Sequence, residues 1–404
     1  MNHKFFLITS LIFFILTTSC FANSYLNIPV WNDLSNTIET SSTKTENNFL
    51  TLESESGILI EEKTGQILFE KDSHKVLRPA SVTKIMTILL IMDNIKKGNI
   101  SLEDSVPCSE IASSMGGSQI WLSPNETLTV NEMLKAICIV SANDCAVAMA
   151  EFISGSEEAF VILMNEKAKE LGMNDTVFKN CHGIDEDGHV SSSYDISIMS
   201  RELLTKHPEI KQYTSIWMDS LRDGSSMLVN TNKLIRTYEG ATGLKTGSTS
   251  LALYNLSASA TRDNLSLISV IMRAPTTDVR FKEAKLLLDY GFNKFTSINL
   301  CNKDDFHTEV DILKGVEPKL NLVFENSSEK IIEKNNNSNE ENTTTLNENI
   351  TAPIFKGDIL GKVDFKINNE IISSVNLIAE KNIPKNSFKN FFYQNIYTYF
   401  KLLN

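Results

Sequence analysis

The stretch Arg78–Met92, RPASVTKIMTILLIM, sets a serine and a lysine three residues apart, with a proline just ahead and an apolar run behind. From Pro79 onward Ile85, Ile88, Leu89, Met92 and Ile95 fall at i, i+3, i+4, i+7 and i+10, which predicts a helix with one side in a core. Pro79 presets the first turn, and Ser81 and Lys84 then share a face. A serine in a first turn meets free backbone N–H groups and the positive end of the helix dipole, both of which favour an attacking alkoxide. A lysine at the start of an apolar helix sheds its proton more readily, because burial and nearby positive charge disfavour the ammonium. Ser81 and Lys84 are thus a candidate nucleophile and base. The plain alternative is a polar helix start, since this spacing often arises by chance. Partners elsewhere in the chain must decide.

Two further motifs follow in chain order. SAND places Ser141 and Asn143 at the end of the apolar helical segment TVNEMLKAICIVSAND, which Thr129 and Glu132 open as a capping box. LKTGST places Lys245, Thr246 and Gly247 on the opening of a strand, followed by Ser248 and Thr249. S-x-x-K, then S-x-N, then K-T-G is the set found in serine acyl-transferring enzymes that act on penicillins and peptidoglycan peptides. A G-x-S-x-G elbow is absent, so an ordinary Ser-His-Asp hydrolase lacks its marker.

With these motifs the chain resembles the D-alanyl-D-alanine carboxypeptidases of the low-molecular-weight penicillin-binding proteins. The resemblance runs from about Gly57 to Phe292, through PASVTKIMT, GGSQIWL, SANDCAVAMAE, LGMNDTVFKN and GLKTGST. It implies that Ser81 attacks the carbonyl of the penultimate D-alanine and that Lys84 takes its proton. Ser141 would pass a proton to the leaving amine, Lys245 would tune that path, and Asn143 would hold the substrate amide and Lys84. The N–H groups of Ser81 and Ser248 would form the oxyanion hole, with Gly247 between the strand's ligands. Thr246 and Thr249 would bind the terminal carboxylate, with Arg273 as a further ligand. The implied partners are a peptidoglycan pentapeptide and β-lactam inhibitors, with no cofactor. Two departures bear on substrate preference: Ala252-Leu253-Tyr254 carries leucine where the family often has glycine, and NCHG (Asn180–Gly183) replaces the family's usual Asn-Pro or Asn-Thr before the glycine.

Two rivals are weighed against this. A β-lactamase would share nucleophile and base, but its deacylating E-x-x-L-N has only a near match from Glu170 to Asn174, at the end of a predicted helix. A non-catalytic cell-wall binding protein would need neither Lys84 nor Ser141. CHGIDEDGH offers Cys181, His182 and His189, too few ligands for a metal site.

The expected fold is α+β, an antiparallel sheet flanked by helices, followed by a small all-β domain and a C-terminal amphipathic helix. GILIEEKTGQILFEKD reads as a hairpin with Ile58, Ile60, Ile67 and Phe69 half-buried. At 404 residues the chain has room for two domains, and 42% apolar with 22% charged residues is globular composition. Residues 1–22 have the layout of a secretory signal peptide, so export to the outer face of the cytoplasmic membrane or the cell wall is expected. Residues 23–49 form a polar linker, 50–295 the catalytic domain and 296–380 the β domain, with a disordered polar insertion at 326–350. The five cysteines beyond Cys20 form no disulfide framework. A net charge of −12 excludes nucleic acid as the main partner. Against that charge, the tail 384–404 is basic and aromatic: Phe388, Phe391, Phe392, Ile396, Tyr399, Phe400 and Leu403 fall on one helical face beside Lys385, Lys389 and Lys401. Docking on an anionic membrane surface is expected of it.

Overall fold

The structure is a computed structural model that describes residues 50–334, 340–387, 392 and 396. Five antiparallel strands form the central sheet: β1 (Ser56–Glu61), β2 (Ile67–Lys71), β3 (Ala241–Thr249), β4 (Leu253–Arg262) and β5 (Leu265–Ala274). Their order is β2-β1-β5-β4-β3, so the first hairpin joins the last three strands, with β1 running against β5 from Ser56↔Met272 to Glu61↔Leu267. Because β1 lies inside the sheet with a core on each face, Ile58 and Ile60 in one and Leu59 in the other, every residue of it is buried, where alternation was expected. The inward face of β2 also differs: Leu68 is buried and Ile67 is 41% exposed. A register shift skips Leu68 in the β1–β2 pairing, and such a bulge turns the extra side chain to the other face.

The long helices among the described residues are α1 (Lys84–Lys96), α2 (Val130–Ile139), α3 (Asn143–Ser154), α4 (Glu157–Glu170), α5 (Ser193–Lys206) and α6 (Thr277–Lys294); α1, α5 and α6 contact this sheet, and α2, α3 and α4 pack on α1. The capping box Thr129/Glu132 opens α2, and Ser156 caps α4. Helix α1 is buried on all sides from Lys84 to Met92, in the larger core with residues of α2 to α5. Its side chains Ile85, Met86, Ile88, Leu89, Ile91 and Met92 are almost completely enclosed. At roughly 2 kcal/mol for each such side chain, they fix the helix and with it the direction of its first turn. On the opposite sheet face, α6 supplies Leu287, Leu288 and Phe292 to a second core.

The C-terminal part begins where α6 ends. β6 (Phe295–Cys301), β7 (Phe306–Asp311), β8 (Lys319–Phe324), β9 (Ser328–Glu333), β10 (Glu340–Leu346), β11 (Ile359–Ile367) and β12 (Glu370–Ala379) follow. They form a five-stranded sheet, β7-β8-β12-β11-β10, and a ribbon, β6-β9. Phe295 and Ile331 of the ribbon enter the second core of the catalytic domain, while Leu320, Leu322, Val363 and Leu377 belong to a third core. The expected disordered insertion is corrected here, because β9 and β10 both lie within 326–350. β9 is held by pairing with β6 and the burial of Ile331, and β10 by its ladder to β11. All of β10 is exposed, so no hydrophobic alternation marks it; its Thr run still favours an extended backbone.

Among the described residues, no helix is long and apolar enough to cross a membrane. The signal segment and the linker as far as Phe49 lie outside the described residues, as does most of the tail. Phe392 and Ile396 are helical and exposed.

Candidate active site

Ser81 sits in a single 3-10 turn, Ala80–Thr83, that leads into α1; the α-helix itself starts only at Lys84. The expected first α-turn is therefore tighter, and the difference matters. With three residues per turn, side chains at i and i+3 eclipse. Lys84 thus stacks over Ser81, and its Nζ donates to Ser81 Oγ at 3.1 Å. Ala80 holds a left-handed φ of 49°, which costs energy in a residue with a Cβ. Gly183 backs it so closely that a Cβ there would meet the Ala80 carbonyl oxygen at 2.0 Å.

Lys84 is completely buried. Besides Ser81, its Nζ donates to Asn143 Oδ1 at 2.5 Å and to the His182 carbonyl at 2.6 Å. Three acceptors match the three N–H bonds of an ammonium. When one proton leaves, two N–H bonds stay on Asn143 and His182 and the lone pair faces Ser81. Burial lowers the amine from 10.5 to about 7, against opposing pulls from Cys181, Asp144 and Cys145. That value suits a general base near neutrality.

The S-x-N motif lies at a break rather than a helix end. α2 stops at Ile139, Ser141 takes a left-handed φ of 65°, and α3 starts at Asn143. Ser141 Oγ is buried with no hydrogen-bond partner among the described residues. Asn143 Nδ2 donates to the Gly116 carbonyl and its backbone N–H to that of Ser118, both at 2.7 Å. Asp144 accepts from the N–H groups of Ile120 and Leu122 at 3.1 Å each. The loop GGSQIWL is therefore hung from the first turn of α3.

β3 is the edge strand of the sheet and carries Lys245, Thr246, Gly247, Ser248 and Thr249 past the nucleophile. A Cβ on Gly247 would lie 2.8 Å from Val82 N and 2.9 Å from both Pro79 O and Ser81 N, so only glycine lets the strand approach this closely. Lys245 is buried, and burial, then the Lys84 charge, pull its amine well below the usual range. Its Nζ donates to the Thr246 carbonyl at 3.0 Å rather than to Ser141. Thr246 Oγ1 donates to Thr231 Oγ1 at 2.7 Å, Thr249 Oγ1 accepts from Ala252 N at 2.9 Å, and Ser248 is exposed. Arg280 of α6 reaches under the strand to the carbonyls of Gly247 and Asn255, at 3.3 and 3.2 Å. Arg273 stands apart, with its Nε 2.7 Å from Glu55 Oε1; its charge already has a partner.

The structure thus brings Ser81, Lys84, Asn143 and the K-T-G strand together around one turn. It adds groups that motif reading missed. His182 contributes a backbone carbonyl, which no side-chain pattern reveals, and the NCHG departure is the segment that presents it. Asp144 followed Asn143 directly in the quoted motif and was a legible signal. Asn255, which links the Arg78 carbonyl to the Arg273 N–H at 2.8 and 2.7 Å, and Arg280 carried none. Glu170, the near match to a lactamase glutamate, ends α4 beside Lys167 with its side chain 62% exposed. Among the described residues no cluster of His, Cys, Asp and Glu is arranged to hold a metal ion.

Comparisons with known proteins agree with this geometry. A family model described as D-alanyl-D-alanine carboxypeptidase matches residues 40–276, and one described as the penicillin-binding protein 5 C-terminal domain matches residues 295–385. The chain is 43% identical over 343 residues to the D-alanyl-D-alanine carboxypeptidase DacF of Bacillus subtilis, covering 84% of this chain and 88% of that one. It is similar to penicillin-binding protein 5 from Haemophilus influenzae, with a TM-score of 0.74 and 30% identity over 83% of this chain and 99% of that one. Penicillin-binding protein D2 from Listeria monocytogenes, solved in the ampicillin-bound form, matches with a TM-score of 0.56 and 30% identity over 60% of this chain and 99% of that one.

Proposed function

The chain belongs to the D-alanyl-D-alanine carboxypeptidase family, and on that premise we propose which residues carry the reaction and where it takes place. The protein is a serine-type carboxypeptidase that removes the terminal D-alanine of peptidoglycan stem peptides through an acyl-enzyme, and it is acylated by penicillin. Ser81 is the nucleophile and neutral Lys84 its base. The observation that carries this is the contact at 3.1 Å between a fully buried amine and the hydroxyl at the mouth of α1. Attack on the penultimate carbonyl moves the Ser81 proton to Lys84 and charge to the carbonyl oxygen. The N–H groups of Ser81 and Ser248 receive that charge, a contribution of about 3 kcal/mol per donor. Ser141, whose buried hydroxyl has no competing partner among the described residues, relays a proton to the leaving amine, assisted by Lys245 and Asn143. Thr246 and Thr249 take the terminal carboxylate, with Gly247 allowing the close approach. Arg273 assists only if it leaves Glu55. Water then cleaves the ester.

We further place the enzyme outside the cytoplasmic membrane. The layout of residues 1–22 supports export, and the basic aromatic face of 384–404 supports docking on an anionic bilayer. Labelling by a fluorescent penicillin tests the nucleophile: Ser81→Ala abolishes it, and labelling that survives would sink the assignment. Release of D-alanine from a pentapeptide, faster than turnover of penicillin, separates a carboxypeptidase from a β-lactamase. Truncation before Pro384 releases the protein from membranes; an unchanged partition counts against the anchor.

A further inference from the structure

The tetrapeptide Asn180–Gly183 presents the carbonyl that accepts from Lys84, and it is tied down at several points. Glu157, the first residue of α4, accepts from the Cys181 N–H at 2.8 Å, and Thr87 of α1 donates to the Cys181 carbonyl at 2.6 Å. Those bonds place the segment as a whole. The peptide unit between His182 and Gly183 is held separately. Its oxygen receives Lys84 Nζ at 2.6 Å, and its N–H donates to Asn180 Oδ1 at 2.7 Å. A peptide unit is planar, so fixing its N–H fixes the direction of its carbonyl. Asn180 is buried, and its own amide is locked, because Nδ2 donates to the Ile184 carbonyl at 3.0 Å and to Glu186 Oε2 at 3.1 Å.

A side chain that accepts from the N–H three residues on is ordinary turn chemistry. Here the turn does more than redirect the chain, because its carbonyl ends on the amine of the base. Gly183, at a φ of 89°, also lies so near the nucleophile's turn that a Cβ there would meet Ser81 N at 2.8 Å. A loosened peptide unit would therefore disturb Lys84 and Ser81 together.

We propose that Asn180 is a positioning residue for the base: by holding the His182–Gly183 peptide unit it aims the carbonyl that occupies one Lys84 N–H. With another N–H on Asn143, the remaining position on the nitrogen faces Ser81. The inference rests on Lys84 being the base. Its test is the pH–rate profile of acylation by a fluorescent penicillin. Asn180→Ala frees the peptide unit and lowers the second-order constant about tenfold on its high-pH plateau. The acid limb moves to lower pH, because the ammonium loses an acceptor that stabilised its charge. Asn180→Ser keeps a short acceptor for the Gly183 N–H and recovers most of the plateau. A residue that only shapes the loop would lower Tm on replacement and leave the profile in place. That outcome overturns the proposal, as does an acid limb that rises in Asn180→Ala. Should the alanine variant fail to fold, Asn180→Asp decides. It keeps the acceptor and brings a negative charge to the peptide unit facing Lys84, so the limb moves to higher pH; an unmoved limb sinks the idea. Lys84→Arg separates the two readings. If it acylates within tenfold of the unmodified enzyme, the base is misassigned. If it is inactive while Asn180→Ala keeps both plateau and limb, the positioning role alone fails.

Discussion

Lys84 and Lys245 lie wholly inside the catalytic domain, whereas Lys319, Lys362 and Lys381 of the β domain stand in solvent opposite Glu309, Asp364 and Glu317. The two settings push an amine in opposite directions. Burial without a paired carboxylate lowers Lys84 to about 7, while the Glu309 carboxylate raises Lys319 above 10.5. The first arrangement costs stability and yields a base; the second contributes little to stability and yields solubility. The β domain holds its strands by backbone ladders and a small core, and the catalytic domain devotes its larger core to keeping two amines dry.

Four experiments bear on that contrast. The largest effect comes from Lys84→Arg, which keeps the positive charge but cannot release its proton. Acylation by fluorescent penicillin falls about 10³-fold or more, with the circular dichroism spectrum retained; a fall below tenfold would remove Lys84 as the base. Next is Gly247→Ala, whose methyl meets three backbone atoms of the nucleophile's turn. Pushing β3 outward lowers the acylation rate about 100-fold while Tm drops far less.

The third concerns pH. Only neutral Lys84 accepts the serine proton, so the acylation rate falls tenfold per unit below about 7 and levels off above it. The sign for stability follows from proton counting. The unfolded lysine keeps its proton to about 10.5 and the folded one only to about 7, so the unfolded state binds more protons in that window. Stability from this group therefore rises with pH between about 7 and 10.5, and the rise disappears in Lys84→Met. A pH–rate profile flat from 5 to 9 would break the assignment. The smallest effect is expected where charges stay wet. Lys63 and Glu329 pair at 2.9 Å between the β1–β2 turn and β9, yet Lys63→Ala lowers stability by only about 0.5 kcal/mol. A loss several times larger would mean that this pair helps to fasten the β domain.

Much of the fold was legible because local rules governed it. Thr129 and Glu132 announced α2, Ser156 announced α4, and the strands from Ala241 to Ala274 follow the apolar runs. Where a distant segment intervened, local reading failed. β1 lost its alternation because distant segments cover both faces of the sheet, one core taking Ile58 and Ile60 and the other Leu59. β10 had no apolar pattern to read because its backbone ladder to β11, and not burial, holds it. Within the site, side chains that act as themselves were visible in motifs. Groups that act through position, such as the His182 carbonyl and Arg280, were not.

The sequence alone determined the reacting residue types and their order: Ser81 with Lys84, then Ser141 with Asn143, then Lys245 to Thr249. It also determined that α1 is apolar enough to be buried. Tertiary structure decided that the serine and lysine meet in a 3-10 turn, that Lys245 bonds to Thr246, and that Arg273 is spent on Glu55. Above all it decided the protonation of Lys84. The proton affinity of an amine depends on how completely water is excluded and on which acceptors remain. Here segments far apart in the chain, meeting Lys84 at Asn143 and His182, supply both.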